Sequence, residues 1–211
     1  MPVYVIDQSF LFFSHVPKCG GTSVEKSLRR HGREFLFDRG FHAAPESFSR
    51  CSVQHLHRAA IARIFPEAMF DFEFATVRNP FARIESEFRF RRGLRPRSRR
   101  NTRPGELPPE PENFADWLRY ALGHSADHPY LFDNHLRPQN EFVGPATEVF
   151  RLENGLTPVF ERLSRVTGRE ITPPARRFQQ SARLDIHWTE ADRALVREFY
   201  VDDFETFGYD A

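Results

Sequence analysis

Residues Phe10–Leu28 read FLFFSHVPKCGGTSVEKSL. The continuous apolar run Phe10–Phe13 fits a strand buried on both faces, as in a parallel sheet. Val24 and Leu28 lie one helical turn apart, Gly32 offers a stop, and the spacing predicts a helix over about Thr22–His31. A tight loop between a strand and a helix aims backbone N–H groups at one point, and the helix dipole adds partial positive charge there. Gly20 and Gly21 let the backbone approach an anion closely. Thr22 and Ser23 add hydroxyl donors, and Lys18 supplies a full charge. All of this suits a phosphate-like group, or else a plain glycine turn before a helix. A kinase P-loop places its lysine after the glycines and adds a magnesium carboxylate later. Here the lysine comes first.

Further along, FDFEFATVRNPFARIESEFRFRRG repeats the scheme. Phe72–Val77 reads as a strand, Asn79 and Pro80 as N-cap and first helical residue, and Phe81, Ile84 and Phe88 follow at helical spacing. Arg78 ends the strand, and Ser86 lies about two turns into the helix. An arginine at a strand edge can hold a phosphate bidentately. Taken singly, Arg78 suits a surface ion pair and Ser86 an ordinary helix serine. Taken with the first loop, they suggest a ligand with two anionic ends.

The remaining chain alternates in the same way. Ser52–Gln54 is expected to end a short strand and Ala59–Phe65 to be helical. A helix is expected around Phe114–Leu122, a strand over Thr147–Glu153 and a helix over Gly155–Thr167. A last helix should open on a Thr189/Asp192 capping pair, with Ala191, Ala194, Leu195 and Phe199 inward. This alternation predicts an α/β, three-layer sandwich around a mainly parallel central sheet, as one domain over 1–211. The Arg- and Pro-rich stretch at about 91–112 is expected to be a mobile loop.

Composition narrows the classes. The formal net charge is +1, so bulk attraction to nucleic acid or to a membrane surface is not indicated. The Arg-rich stretch is followed by acidic and Pro residues and carries no interleaved aromatics, which also argues against nucleic acid. Lys18 and Lys26 are the only lysines. Two cysteines, Cys19 and Cys51, do not make a disulfide framework and suit a reducing compartment, although one bridge stays open. The N-terminus lacks a basic region and a small-residue cleavage site, and no apolar run is long enough to span a bilayer. A cytoplasmic chain without a transmembrane segment is expected.

HVPKCGGTS (His15–Ser23) resembles the 5′-phosphosulfate loop of carbohydrate sulfotransferases. FATVRNPFARIESEFRFR (Phe74–Arg91) resembles their 3′-phosphate-binding segment, in which an arginine and a downstream serine hold the 3′-phosphate. DNHLRPQNEFVG (Asp133–Gly144) and the closing YVDDFETFGY also look like later segments of that family. The resemblance implies the P-loop-like sulfotransferase fold and the donor 3′-phosphoadenosine 5′-phosphosulfate (PAPS), used without a metal. It implies that Pro17, Lys18, Cys19, Gly20, Gly21, Thr22 and Ser23 bind the 5′ end and that Arg78 and Ser86 bind the 3′-phosphate. The expected acceptor is a hydroxyl of a glycan or glycolipid.

Sulfuryl transfer needs a base for the acceptor proton and a cation for the leaving phosphate. Lys18 is the expected cation. QHLH offers His55 and His57 as base, and the family places a base histidine between the two phosphate sites. His55 is preferred because it directly follows the expected strand, with His57 as the alternative. Either could instead be structural. A metal site at His55 and His57 lacks a third ligand at convincing spacing, and HSADH (His124–His128) reads as a solvated helix end. Cys19 is a reactive thiol or a small space-filling residue in the loop. Arg137 and Gln139 are expected on the acceptor side, or else in a hydrogen-bonded turn before Pro138. A non-catalytic binding protein of the same fold and an ATP-dependent phosphotransferase are the competing functions. A chain this short leaves room for a homo-oligomer whose second subunit completes the acceptor site.

Overall fold

The apolar run at Phe10 becomes one strand of a five-stranded sheet, order β3-β1-β2-β4-β5. The computed structural model describes residues 2–36, 51–66, 69–93, 107–174 and 184–211. The strands are β1 (Val3–Ile6), β2 (Ser9–Ser14), β3 (Arg33–Leu36), β4 (Phe72–Val77) and β5 (Thr147–Arg151). The helices are α1 (Gly21–His31), α2 (Arg58–Ala62), α3 (Pro80–Gly93), α4 (Phe114–Ser125), α5 (Thr157–Thr167), α6 (Glu190–Phe199) and α7 (Val201–Phe207). They fall into two compact units, Met1–Arg78 with Gln139–Gln179, and Asn79–Pro138 with Gln180–Ala211.

In the first unit β2, β4 and β5 run parallel, with Phe13 opposite Phe74 and Ala75 opposite Val149. β1 forms an antiparallel hairpin with β2 and pairs antiparallel with β3. Only β1 therefore opposes the other four strands. Side chains alternate across the pleat. Tyr4, Ile6, Leu11, Phe13, Phe72 and Phe74 share one face, where Val24 and Leu28 of α1 and Val159, Phe160 and Leu163 of α5 complete a buried core. Gly32 ends α1 with an extended backbone rather than a left-handed one. A Cβ there would fall 2.5 Å from the Val5 carbonyl oxygen, so the glycine is required by close approach to β1.

The second unit is helical. Ile84 and Phe88 of α3 pack with Phe114, Trp117 and Leu118 of α4, with Val196 of α6 and with Tyr200 and Phe204. Asn79 caps α3 by accepting the Phe81 N–H at 3.0 Å, and Thr189 and Asp192 form a full capping box on α6. Phe132, Asp133 and Asn134 are consecutive residues with left-handed φ of 56, 60 and 68°. Such backbone is unfavourable for residues with a Cβ. Arg83 holds it by donating to the His135 and Arg137 carbonyls at 2.8 Å each, and the Tyr200 hydroxyl donates to the Leu136 carbonyl at 2.8 Å.

Four expectations change. Val53–His55 is a 3₁₀ turn, not a strand end, closed by the His55 N–H on the Ser52 carbonyl at 2.9 Å. β5 stops at Arg151, and Leu152–Asn154 turns instead of extending. Ala191 and Ala194 are exposed, and α6 turns Asp192 and Val196 inward, with Leu195 and Phe199 partly buried. The ends of the Arg/Pro-rich stretch are packed. Arg91 is buried, pairs with Glu110 and lies 3.4 Å over the Phe132 ring, and Arg92 donates to Glu112 at 2.6 Å. Residues 94–106 of that stretch lie outside the described residues.

Candidate functional site

β2 ends at Ser14, and the chain then runs through His15–Gly20 into α1. Lys18 is half-buried with φ 67°, and Gly20 has φ 83°. A left-handed lysine costs on the order of 1–2 kcal/mol, so its backbone is held by its surroundings. α1 has no side-chain cap at Gly20 and no acidic residue in its first turn, so no first-turn carboxylate offsets the positive end of its dipole. Gly20 suits its left-handed backbone, and Gly21 is sterically required. A Cβ on Gly20 would fall 2.9 Å from Leu152 Cδ1, and one on Gly21 would fall 2.4 Å from His15 Nε2.

The Gly21 contact exposes a network that the sequence reading missed. His15, directly after β2, is buried, and its Nδ1 donates to Glu25 Oε1 at 2.5 Å. Gln54 donates to the same oxygen at 2.7 Å, and Arg29 reaches the other carboxylate oxygen at 3.3 Å. Burial pushes the Glu25 carboxyl up, but attraction to His15, hydrogen bonds from His15 and Gln54 and the Arg29 charge outweigh it and hold the group at about 2. With Nδ1 committed to Glu25, His15 presents Nε2 to the first residue of α1. The sequence signal was Gly21 with Glu25 at i+4 on one helix face.

His55 ends its 3₁₀ turn buried, with Ser52 Oγ 3.2 Å from Nδ1. Its ring meets that of His15 edge-on at 5.3 Å, which brings it to the neighbourhood of the loop. The strand argument that favoured His55 over His57 does not hold. What distinguishes them is that His55 joins the His15 cluster, whereas His57 is half-buried at the N-cap of α2.

Arg78 follows β4, beside β2 in the parallel ladder, where Ser14 faces Ala75. It is half-buried, and among the described residues its guanidinium makes no ion pair. Its peptide is held on both sides by Gln139. Arg78 N–H donates to Gln139 Oε1 at 2.9 Å, and Gln139 Nε2 donates to the Arg78 carbonyl at 2.8 Å. Cys19, fully buried, donates its thiol to the same Oε1 at 3.2 Å. Cys19, Gln139 and Arg78 are thus brought together, and Cys19 and Cys51 are not joined in a disulfide.

Ser86 is half-buried in α3 of the second unit, with no hydrogen-bond partner for its hydroxyl among the described residues. Arg137, also in that unit, donates to Asn134 Oδ1 at 2.9 Å and lies 5.4 Å over the Tyr130 ring, so its guanidinium braces the left-handed turn. His124 sits in the last turn of α4, as expected for a helix end. No helix among the described residues is long and apolar enough to cross a membrane.

A glycine-lined helix start without a side-chain cap, beside a half-buried arginine that follows the neighbouring parallel strand, is an α/β arrangement whose chemistry suits an anion. The match to a family profile makes this specific: the chain belongs to the sulfotransferase family, whose profile covers residues 1–210. No curated protein and no solved structure matched the chain. Family membership makes it a transferase of sulfuryl groups.

Proposed function

We propose that this protein transfers the sulfuryl group of PAPS to a hydroxyl of a glycan or glycolipid in a single in-line step. The observation that carries this reading is Arg78, a half-buried guanidinium without an ion pair among the described residues, on the strand next to the Lys18–Gly21 loop. The residues fit the donor. The loop has backbone donors, Lys18, a left-handed Gly20 and no room for a side chain at Gly21. Pro17, Lys18, Cys19, Gly20, Gly21, Thr22 and Ser23 form the 5′-phosphosulfate cradle, and Arg78 and Ser86 take the 3′-phosphate. The three-layer sulfotransferase fold and a cytoplasmic site of action belong to the same reading.

In that step the acceptor oxygen forms its bond to sulfur as the sulfur–oxygen bond to the 5′-phosphate breaks. The acceptor proton passes to histidine, and 3′-phosphoadenosine 5′-phosphate leaves. Lys18 and the α1 dipole offset the charge that gathers on the leaving phosphate. His55 is the base, with His57 the alternative.

The test is a binding panel of 3′-phosphoadenosine 5′-phosphate, ADP and ATP. A strong preference for the 3′-phosphorylated nucleotide, lost in Arg78→Ala, is expected. Equal binding of ADP, or ATP binding that needs magnesium, would overturn the reading.

A further inference from the structure

Gln139 is fully buried, and its amide is engaged by polar groups. Its Oε1 accepts from the Arg78 N–H and from the Cys19 thiol, and its Nε2 donates to the Arg78 carbonyl. A carboxamide pairs with a peptide unit as a second peptide would, so this side chain extends β4 by one residue. With both polar groups of Arg78 committed, its peptide planes are fixed, and so is the direction in which its side chain leaves the backbone. The Cys19 bond ties the middle of the anion loop to the same oxygen.

The turn that carries Gln139 is pinned in its own right. The Ser14 hydroxyl, at the end of β2, donates to the Phe142 carbonyl at 2.5 Å. Nearby, the Gly144 N–H donates to Thr147 Oγ1 at 2.9 Å, just as β5 begins. Gln139 is therefore held from the ends of three parallel strands and has little freedom to follow a displaced Arg78.

We infer that Gln139 is a positioning residue that sets the span between the two anion sites, and so determines preference for a nucleotide phosphorylated at both ends. This rests on the PAPS reading and replaces an acceptor-side role for Gln139. Few other side chains would serve. Glutamate lacks the donor for the Arg78 carbonyl, methionine lacks both donor and acceptor strength, and asparagine is one methylene short. A misplacement of about 1 Å can cost on the order of a hundredfold where geometry is critical.

The experiment measures the affinity ratio of 3′-phosphoadenosine 5′-phosphate to ADP for wild type, Gln139→Met, Gln139→Glu, Arg78→Ala and the Gln139→Met/Arg78→Ala double variant. The wild-type ratio should fall by about tenfold or more in Gln139→Met. Gln139→Glu, which sets a buried carboxylate oxygen against the Arg78 carbonyl, should fall as well. ADP affinity should change far less than that of the 3′-phosphorylated nucleotide. Against Arg78→Ala, Gln139→Met should have no further effect on the ratio, because it acts through Arg78. Equal weakening of both nucleotides, an unchanged ratio, or a full extra loss in the double variant would overturn the inference. So would failure of both single Gln139 variants to fold, since the bond would then be a general structural one. A wild type without preference for the 3′-phosphate would instead overturn the donor reading itself.

Discussion

Glu25→Gln should remove most of the acid-dependent stability that arises next to the Lys18–Gly21 loop. The carboxylate is nearly inaccessible, with His15 Nδ1 at 2.5 Å and Gln54 Nε2 at 2.7 Å. Its pKa falls from an ordinary 4.5 to about 2. At about 1.4 kcal/mol per pH unit, that difference corresponds to about 3 kcal/mol in favour of the folded chain. Because the folded value is the lower one, this stabilisation is fully present above pH 4.5 and is lost as pH falls towards 2. The amide keeps the shape but not the charge. At neutral pH the variant should therefore be less stable by about 3 kcal/mol, or by about 6–12 °C in Tm for a chain of this size. Urea denaturation of both proteins at pH 7, 5, 4 and 3 is the measurement. The gap between them should narrow steadily below pH 4.5. A gap that stays constant from pH 7 to 3 would refute the assignment of this charge to Glu25.

Gly21→Ala should be destabilised by about 1–3 kcal/mol in thermal or urea unfolding, because its Cβ would fall 2.4 Å from the His15 ring, which Glu25 prevents from moving away. A near-neutral Gly21→Ala would mean that His15 is free to shift. His55→Ala should lower kcat for sulfuryl transfer by about 10²–10⁴-fold with donor affinity unchanged, whereas His57→Ala should have a smaller effect. A reversed order moves the base to His57. Asp192→Ala removes the buried half of the α6 capping box and one of the two carboxylates paired with Arg119, 3.2 Å away, and should cost about 1–2 kcal/mol without changing nucleotide binding.

The elements that were legible are those with a strong local pattern. FLFF, Phe72–Val77 and the Asn79–Pro80 start needed nothing beyond apolar runs and capping chemistry. Ser52–Gln54 reads as the end of a short strand in the sequence, but the i→i+3 bond from His55 to Ser52 closes a turn there. Alanine marks no side of a helix, so Ala191 and Ala194 gave no guide to the inner face of α6. That face is set by Asp192, a charged residue buried by its capping bonds and Arg119. The Lys18–Gly21 loop is legible because its residues are adjacent in the chain. Its supports are not, because they are non-local: Gln139 is 61 residues from Arg78 and 120 from Cys19 in the chain. Hydropathy carries no record of such a pairing.

The order of residues along the chain has a consequence for biosynthesis. The first unit is encoded in two pieces, with Asn79–Pro138 between them. A ribosome making this protein completes Lys18–Gly21 and Arg78 long before it reaches Gln139, β5 and α5. Until those residues emerge, β4 has an open edge, the Arg78 peptide has no partner, and the core face of the sheet lacks one of its two covering helices. Nascent chains halted between Arg78 and Gln139 should thus expose that edge to chaperones and to each other, and truncation near Pro138 should give an insoluble product rather than a smaller enzyme.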